Sequence, residues 1–250
     1  MSGLAAALAQ PGAASLALAA LLAGAVRGFA GFGSGLVFMP IAGTVLPPAQ
    51  AVVALVVMDV LGPIPNLPGA FRNGDAREVG RLVLGMALGL PIGLAALLWV
   101  APEAFRWAVS LLALATVAAL ASGWVWRGAR GCAATAGAGF LSGIVGGATG
   151  LPGPPAILYY MAGGAAPAQV RANLTMFLVA VDAGLVGLLA AAGRLEAAAV
   201  ATGLALLIPF SLANLAGSRL FDPGRVRLYR GAAFALIAGA ALAGLPLWTG

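Results

Sequence analysis

One arginine stands inside a long apolar run: Arg27, followed at once by GFAGFGSGLVFMP, Gly28 to Pro40. A guanidinium is costly to bury, so one kept in such a run has a function or a partner. Its planar fork of N–H donors matches a tetrahedral oxyanion such as a sulfonate. Gly31, Gly33 and Gly35 permit close approach of the backbone. Ser34 stands where an N-cap or a ligand-binding hydroxyl would stand. A second stretch, GIVGGATGLPGPP from Gly143 to Pro155, offers Gly147, Thr149 and Gly150 in the same way. These eight residues are the ligand-binding candidates. Asp59 and Asp182 also lie inside apolar runs and are candidates for proton uptake or for neutralising Arg27. The plainer alternatives are that Arg27 snorkels to an interface or pairs with an aspartate, and that each acid holds a neighbouring helix. The chain has no histidine and a single cysteine, Cys132. That argues against a transition-metal site and excludes an internal disulfide, and no cofactor is implied.

The elements that must position these groups are membrane helices. Of 250 residues, 62% are hydrophobic and 8% charged, against about 25% charged in soluble domains. Apolar runs cover most of the chain, so the fold class is an all-α polytopic membrane protein. A basic nucleic-acid patch would need a polar domain to carry it, and no polar stretch is long enough, so no nucleic-acid partner is expected. The N-terminal MSGLAAALAQPG has no basic region and does not read as a cleaved signal peptide.

The runs repeat in order. One Gly-broken run (about 13–47) is followed by three plain ones (about 49–70, 80–100 and 104–126). A second Gly/Pro-broken run (about 132–163) is followed by three more (about 167–192, 196–218 and 228–248). A shift of 115 positions sets Gly28 on Gly143, Gly31 on Gly146, Ser34 on Thr149, Gly35 on Gly150 and Pro40 on Pro155. With small loop shifts Pro48-Ala49-Gln50 matches Pro167-Ala168-Gln169, Glu78 matches Glu196 and Pro91 matches Pro209. Two units are expected, 1–128 and 129–250. Arg27 falls on Ser142, so a site shared by both units is asymmetric.

Arginine placement orients the units. If each broken run crosses once, the loop arginines divide evenly. If each dips in and returns, Arg72, Arg77, Arg81, Arg127, Arg130, Arg171, Arg219, Arg225, Arg227 and Arg230 share one side. Only Arg106 and Arg194 then face the other. That is the bias of the positive-inside rule. Residues 13–27 and 36–47 are each shorter than the roughly 20 residues a crossing needs. The expected fold is therefore two inverted repeats, each a re-entrant helical hairpin plus three transmembrane helices, with both termini periplasmic. Non-helical backbone at that depth must be buried or line a wet cavity. Hairpin tips meeting near the midplane are a transporter's substrate site.

Asn66, Asn173 and Asn214 could line a path or bond between helices. Trp99, Trp107, Trp124, Trp126 and Trp248 read as interface anchors, and Tyr159 and Tyr160 as anchors or path-facing. Arg219, Arg225, Arg227 and Arg230 read as an anchor on anionic lipid. The many other Gly and Ala residues read as close helix packing.

The paired segments GFAGFGSGLVFMPI and GIVGGATGLPGPPAILYY, each followed by a PAQ element, resemble the sulfite exporter TauE/SafE family of bacterial membrane permeases over nearly the whole chain. The resemblance implies a secondary transporter in the inner membrane. It would export small sulfur-containing anions such as sulfite, sulfoacetate or other organosulfonates by alternating access, and Asp59 and Asp182, from their place in the apolar runs, are the candidates for any proton coupling. The partners implied are that substrate and the lipid bilayer, and a homodimer is left open. The alternatives are a permease for another small anion, or an intramembrane enzyme acting on an anionic lipid. An enzyme would need clustered acids and a nucleophile–base pair, whereas the acids stand singly along the sequence.

Overall fold

A computed structural model describes residues 11–123, 131–161, 165–219 and 226–248. Trp124, Trp126, Arg127, Arg130 and Arg225 lie outside the described residues, as do the side chains of Arg227 and Trp248. The helices are α1 (Ala13–Ala30), α2 (Ser34–Ala42), α3 (Pro48–Leu61), α4 (Leu67–Asn73), α5 (Ala76–Trp99), α6 (Pro102–Ala121), α7 (Cys132–Thr149), α8 (Gly153–Met161), α9 (Pro167–Ala191), α10 (Ala197–Arg219) and α11 (Val226–Gly244). Among the described residues there is no strand. Seven helical segments are long and apolar enough to cross a membrane, with α3 and α4 counted as one, and Tyr229–Gly244 is a shorter apolar helix. The protein is an all-helical, polytopic membrane protein.

Each broken run folds back on itself. α1 ends at Gly31 (φ 81°), and Gly33 (φ 93°) precedes α2. Two left-handed residues so close together reverse the chain, and only glycine takes that conformation without a Cβ penalty. At the tip Gly33 lies against Val26, and at the open end Gly12 lies against Val45. In the second run α7 ends at Gly150 (φ 72°). Pro152 then packs on Gly146, and Tyr159 OH reaches Thr135 Oγ1 at 2.7 Å. The first arm is longer than the sequence suggested. It runs on through Arg27 to Ala30, 18 residues or about 27 Å. Arm length is therefore no argument for a hairpin, whereas the glycine reversal is.

The hairpins are fastened by glycine rows. Gly85, Gly89 and Gly93 of α5 face the backbones of Ala136, Phe140 and Ile144. Gly139, Gly143 and Gly147 of α7 face Leu82, Met86 and Leu90. Partner numbers rise together, so α5 and α7 run parallel. The glycines leave no room for a Cβ, and small residues spaced in this way let membrane helices approach closely. The other hairpin repeats the arrangement: Gly24 lies on Phe210, Gly28 on Asn214, and Gly217 on Ala25. Each hairpin's first arm is thus packed against a long helix of the opposite half of the chain.

Candidate anion site

The tips of the two hairpins touch. Gly35 lies against Leu151 and the Gly150 carbonyl, and Gly150 against Leu55 and Met39. Between them is a cavity of about 20 Å³, lined by Arg27, Gly33, Ser34, Gly35, Asp59, Gly150 and Pro154 among others. That is room for about one water; an oxyanion does not fit there while the tips are in contact.

Arg27 and Asp59 are buried at this point, 3% and 4% exposed. Arg27 Nη1 donates to Asp59 Oδ2 at 2.9 Å and to Ser34 Oγ at 3.3 Å, and Ser34 Oγ donates to Asp59 Oδ2 at 2.7 Å. The remaining groups, Arg27 Nε and Nη2 and Asp59 Oδ1, are buried with no partner. Asp182, on α9, is also buried, with Oδ2 unpartnered, and lies within electrostatic reach of Asp59 and Arg27. A buried ion pair is stable only when its other donors and acceptors are satisfied. This one holds two buried donors in reserve. Arg27 therefore does not snorkel to an interface; it pairs with Asp59 and keeps two donor atoms unused.

On its other flank Arg27 forms part of the wall of a larger recess of about 350 Å³, shared with Gly31, Asn66, Asn73, Arg171 and Thr175. Arg171 Nη2 donates to Gly28 O, and its Cγ lies against Gly31. A cation over the last carbonyls of α1 suits the unsatisfied, partly negative helix end. Sequence position alone groups Arg171 with the loop arginines. The signal that separates it is PAQVR, which puts it inside the first turns of α9 rather than before them. Around this recess Gly74 packs on Asn173 and Met176, and Gly28 on Ser218. The start of α5, the start of α9 and the end of α10 therefore share one end of the molecule, with Arg77, Arg81, Arg171 and Arg219. Arg106 lies elsewhere, bound to the carbonyls of Gly244 and Leu245.

Six of the eight ligand-binding candidates come together. Arg27, Gly33, Ser34, Gly35 and Gly150 line the tip cavity, and Gly31 joins Arg27 in the recess. Gly147 does not reach it: the residue faces Leu90 and Leu94 of α5, and its role is packing. Thr149 ends α7, where its Oγ1 donates to Val145 O and accepts from Leu151 N. Neither hydroxyl is an N-cap. Gly33 holds the N-cap position of α2, and the Ser34 hydroxyl goes to Asp59. The returning arm of the second hairpin starts at Gly153, four residues later than the 115-position shift places the counterpart of Ser34. Pro154 and Pro155 in its first turn carry no N–H.

The asparagines bond between elements. Asn173 Nδ2 donates to Glu78 Oε2 and its Oδ1 accepts from Asp75 N, while Asn214 Nδ2 donates to Gly62 O. Tyr159 donates to Glu78 Oε1. Asn66 alone of the three lines the recess. Among the described residues no cluster of histidine, cysteine or acidic groups has metal-binding geometry.

Compared with known protein families, residues 16–244 match the family described as Sulfite exporter TauE/SafE. No curated protein and no solved structure matches the chain.

Proposed function

The chain belongs to the TauE/SafE sulfite exporter family, a family of membrane transporters, and from that premise we propose that it exports a sulfur oxyanion or small organosulfonate by alternating access. The observation that carries this reading is Arg27, with two buried donors free and a face on both the tip cavity and the recess. In the conformation described, the anion enters the recess from the arginine-bearing end and meets Arg27 there. Gly31, Gly33 and Gly35 let it approach the backbone, and Ser34 and the first turn of α2 add donors. Contact between the tips closes the onward route. Parting of Gly35 from Gly150 and Leu151, with closure of the recess, exposes Arg27 to the opposite face. The same tip geometry supports reading the two halves as inverted repeats with re-entrant hairpins. Family membership also answers the enzyme alternative, because the chemistry required of Arg27 is binding and release.

Asp59 and Asp182 supply coupling in this scheme. An entering anion competes with Asp59 for Arg27, and a proton on either acid leaves the arginine's charge available. A proton moving inward through these acids would drive the anion outward. The arginine-bearing end is cytoplasmic, by the positive-inside rule, of a bacterial inner membrane, and both termini are periplasmic.

Purified protein challenged with sulfite, sulfate, thiosulfate, taurine and sulfoacetate gains thermal stability with at least one of them, because a ligand of the native state stabilises it by mass action. Chloride at equal ionic strength gives no such gain. Absence of any shift, together with absence of labelled sulfite flux in proteoliposomes, defeats the proposal. In the same vesicles Asp182→Asn retains binding and loses the dependence of flux on a pH gradient. A reporter active only in the cytoplasm, fused after Gly250, stays silent, and strong activity would reverse the orientation.

A further inference from the structure

The largest cavity described lies outside the anion site. It is a cleft of about 810 Å³ between α6, α7 and α8, walled by Leu112, Gly137, Phe140, Leu141, Pro154 and Leu158 among others. Its few polar groups are already engaged. Thr116 Oγ1 donates to Leu112 O at 2.6 Å, and Tyr159 OH is bonded to Thr135 and Glu78. A water there would find no free partner among these groups, and buried waters need two to four, as a rough guide. The occupant has to be apolar.

α6 is tied at both ends to α11 and the turn that follows it. Near its start Arg106 Nε and Nη2 donate to the carbonyls of Gly244 and Leu245. Near its end Arg230 Nη2 donates to Leu120 O. In the first hairpin α11 runs along α2, with Gly244 against Pro40. α6 is thus fixed against α11 at both ends, and its apolar flank lines the cleft together with α7 and α8.

We propose that a bilayer lipid inserts an acyl chain into this cleft. All three walls belong to apolar membrane helices, so hydrocarbon is the medium that reaches the opening. Inside, the chain abuts Pro154, which also lines the Arg27 cavity. The lipid thereby supports the first turn of α8 from outside while the tip contact is made on its inner side.

The test uses the full chain in vesicles of phosphatidylethanolamine and phosphatidylglycerol carrying a lipid with a photoactivatable group on its acyl chain. Labelling of the segments around Leu112, Leu141 and Leu158 exceeds severalfold that of the outer face of α10, where Leu204, Ile208 and Leu212 are exposed. Gly137→Trp fills the cleft, since a Cβ at Gly137 meets nothing within 4 Å, and it abolishes the excess. Equal labelling of the cleft and the α10 face in the parent protein overturns the proposal whatever the variant does. So does rapid disulfide formation between Leu112→Cys and Leu158→Cys in a Cys132→Ala background, because it would mean that α6 closes the cleft.

Discussion

Arg27→Ala weakens binding of the transported anion by one to several powers of ten, because each charge-assisted hydrogen bond lost is worth about 1.5–3 kcal/mol and each 1.4 kcal/mol is about tenfold. The same change strands Asp59, whose only other bonded partner among the described residues is Ser34. Breaking a buried pair by removing one member costs about 3–5 kcal/mol of stability, so loss of binding could be loss of fold. Two companions separate the effects. Arg27→Ala with Asp59→Asn removes both charges, restores the melting temperature toward that of the parent, and still does not bind. Arg27→Lys keeps a cation beside Asp59 but lacks the planar fork, so it folds and binds weakly. A folded Arg27→Ala/Asp59→Asn protein with parental affinity for sulfite or a sulfonate, measured by calorimetry, would make Arg27 purely structural.

Gly143→Leu produces the largest loss of stability expected outside the anion site. The new side chain meets the backbone of Met86 and Leu90 on α5, which cannot turn aside as a flexible side chain can. Overpacking a close contact costs about 1–3 kcal/mol and occasionally more; here a whole helix pair must separate, so the upper end applies. The comparison is Gly137→Leu on the same helix, which points into the open cleft and leaves the melting temperature near parental. Equal melting temperatures for the two variants, read by fluorescence size-exclusion after heating, would mean that the glycine rows do not hold the second hairpin.

Much of this was legible along the chain because it is local. The glycine clusters from Gly28 and from Gly143 mark breaks in two apolar runs, although the left-handed turns at Gly31, Gly33 and Gly150 appear only in the fold. Arg27 is conspicuous by charge alone, and the apolar runs give the helices to within a few residues. Long-range pairings were not legible. That Arg27 meets Asp59 depends on how α3 lies against the first hairpin, and two lone aspartates in the sequence looked alike until packing gave one of them a partner. Gly147 shows the converse error. It sits in a glycine-rich tip motif, yet it belongs to a row four residues apart with Gly139 and Gly143 that serves α5. Thr149 misled through the alignment of the halves: the same offset that sets it on Ser34 places one hydroxyl at the start of a helix and the other at the end of one. The pinned position of α6 rests on contacts to α11 more than a hundred residues away, which no local pattern announces.

The exchange of partners between the halves governs the order in which the chain can become a protein. α1 emerges from the ribosome well before α10, the helix that covers Gly24 and Gly28. Until α10 is made the first hairpin waits in the bilayer with its glycine face bare. The α5 row waits less long, until α7 arrives. Chains truncated before α10 therefore hold a formed second hairpin and an unclaimed first one, the state that membrane proteases and insertion chaperones have to sort. Supplying the missing C-terminal segment as a separate polypeptide would complete the assembly, since what α1 requires is the surface of α10 and not its covalent attachment.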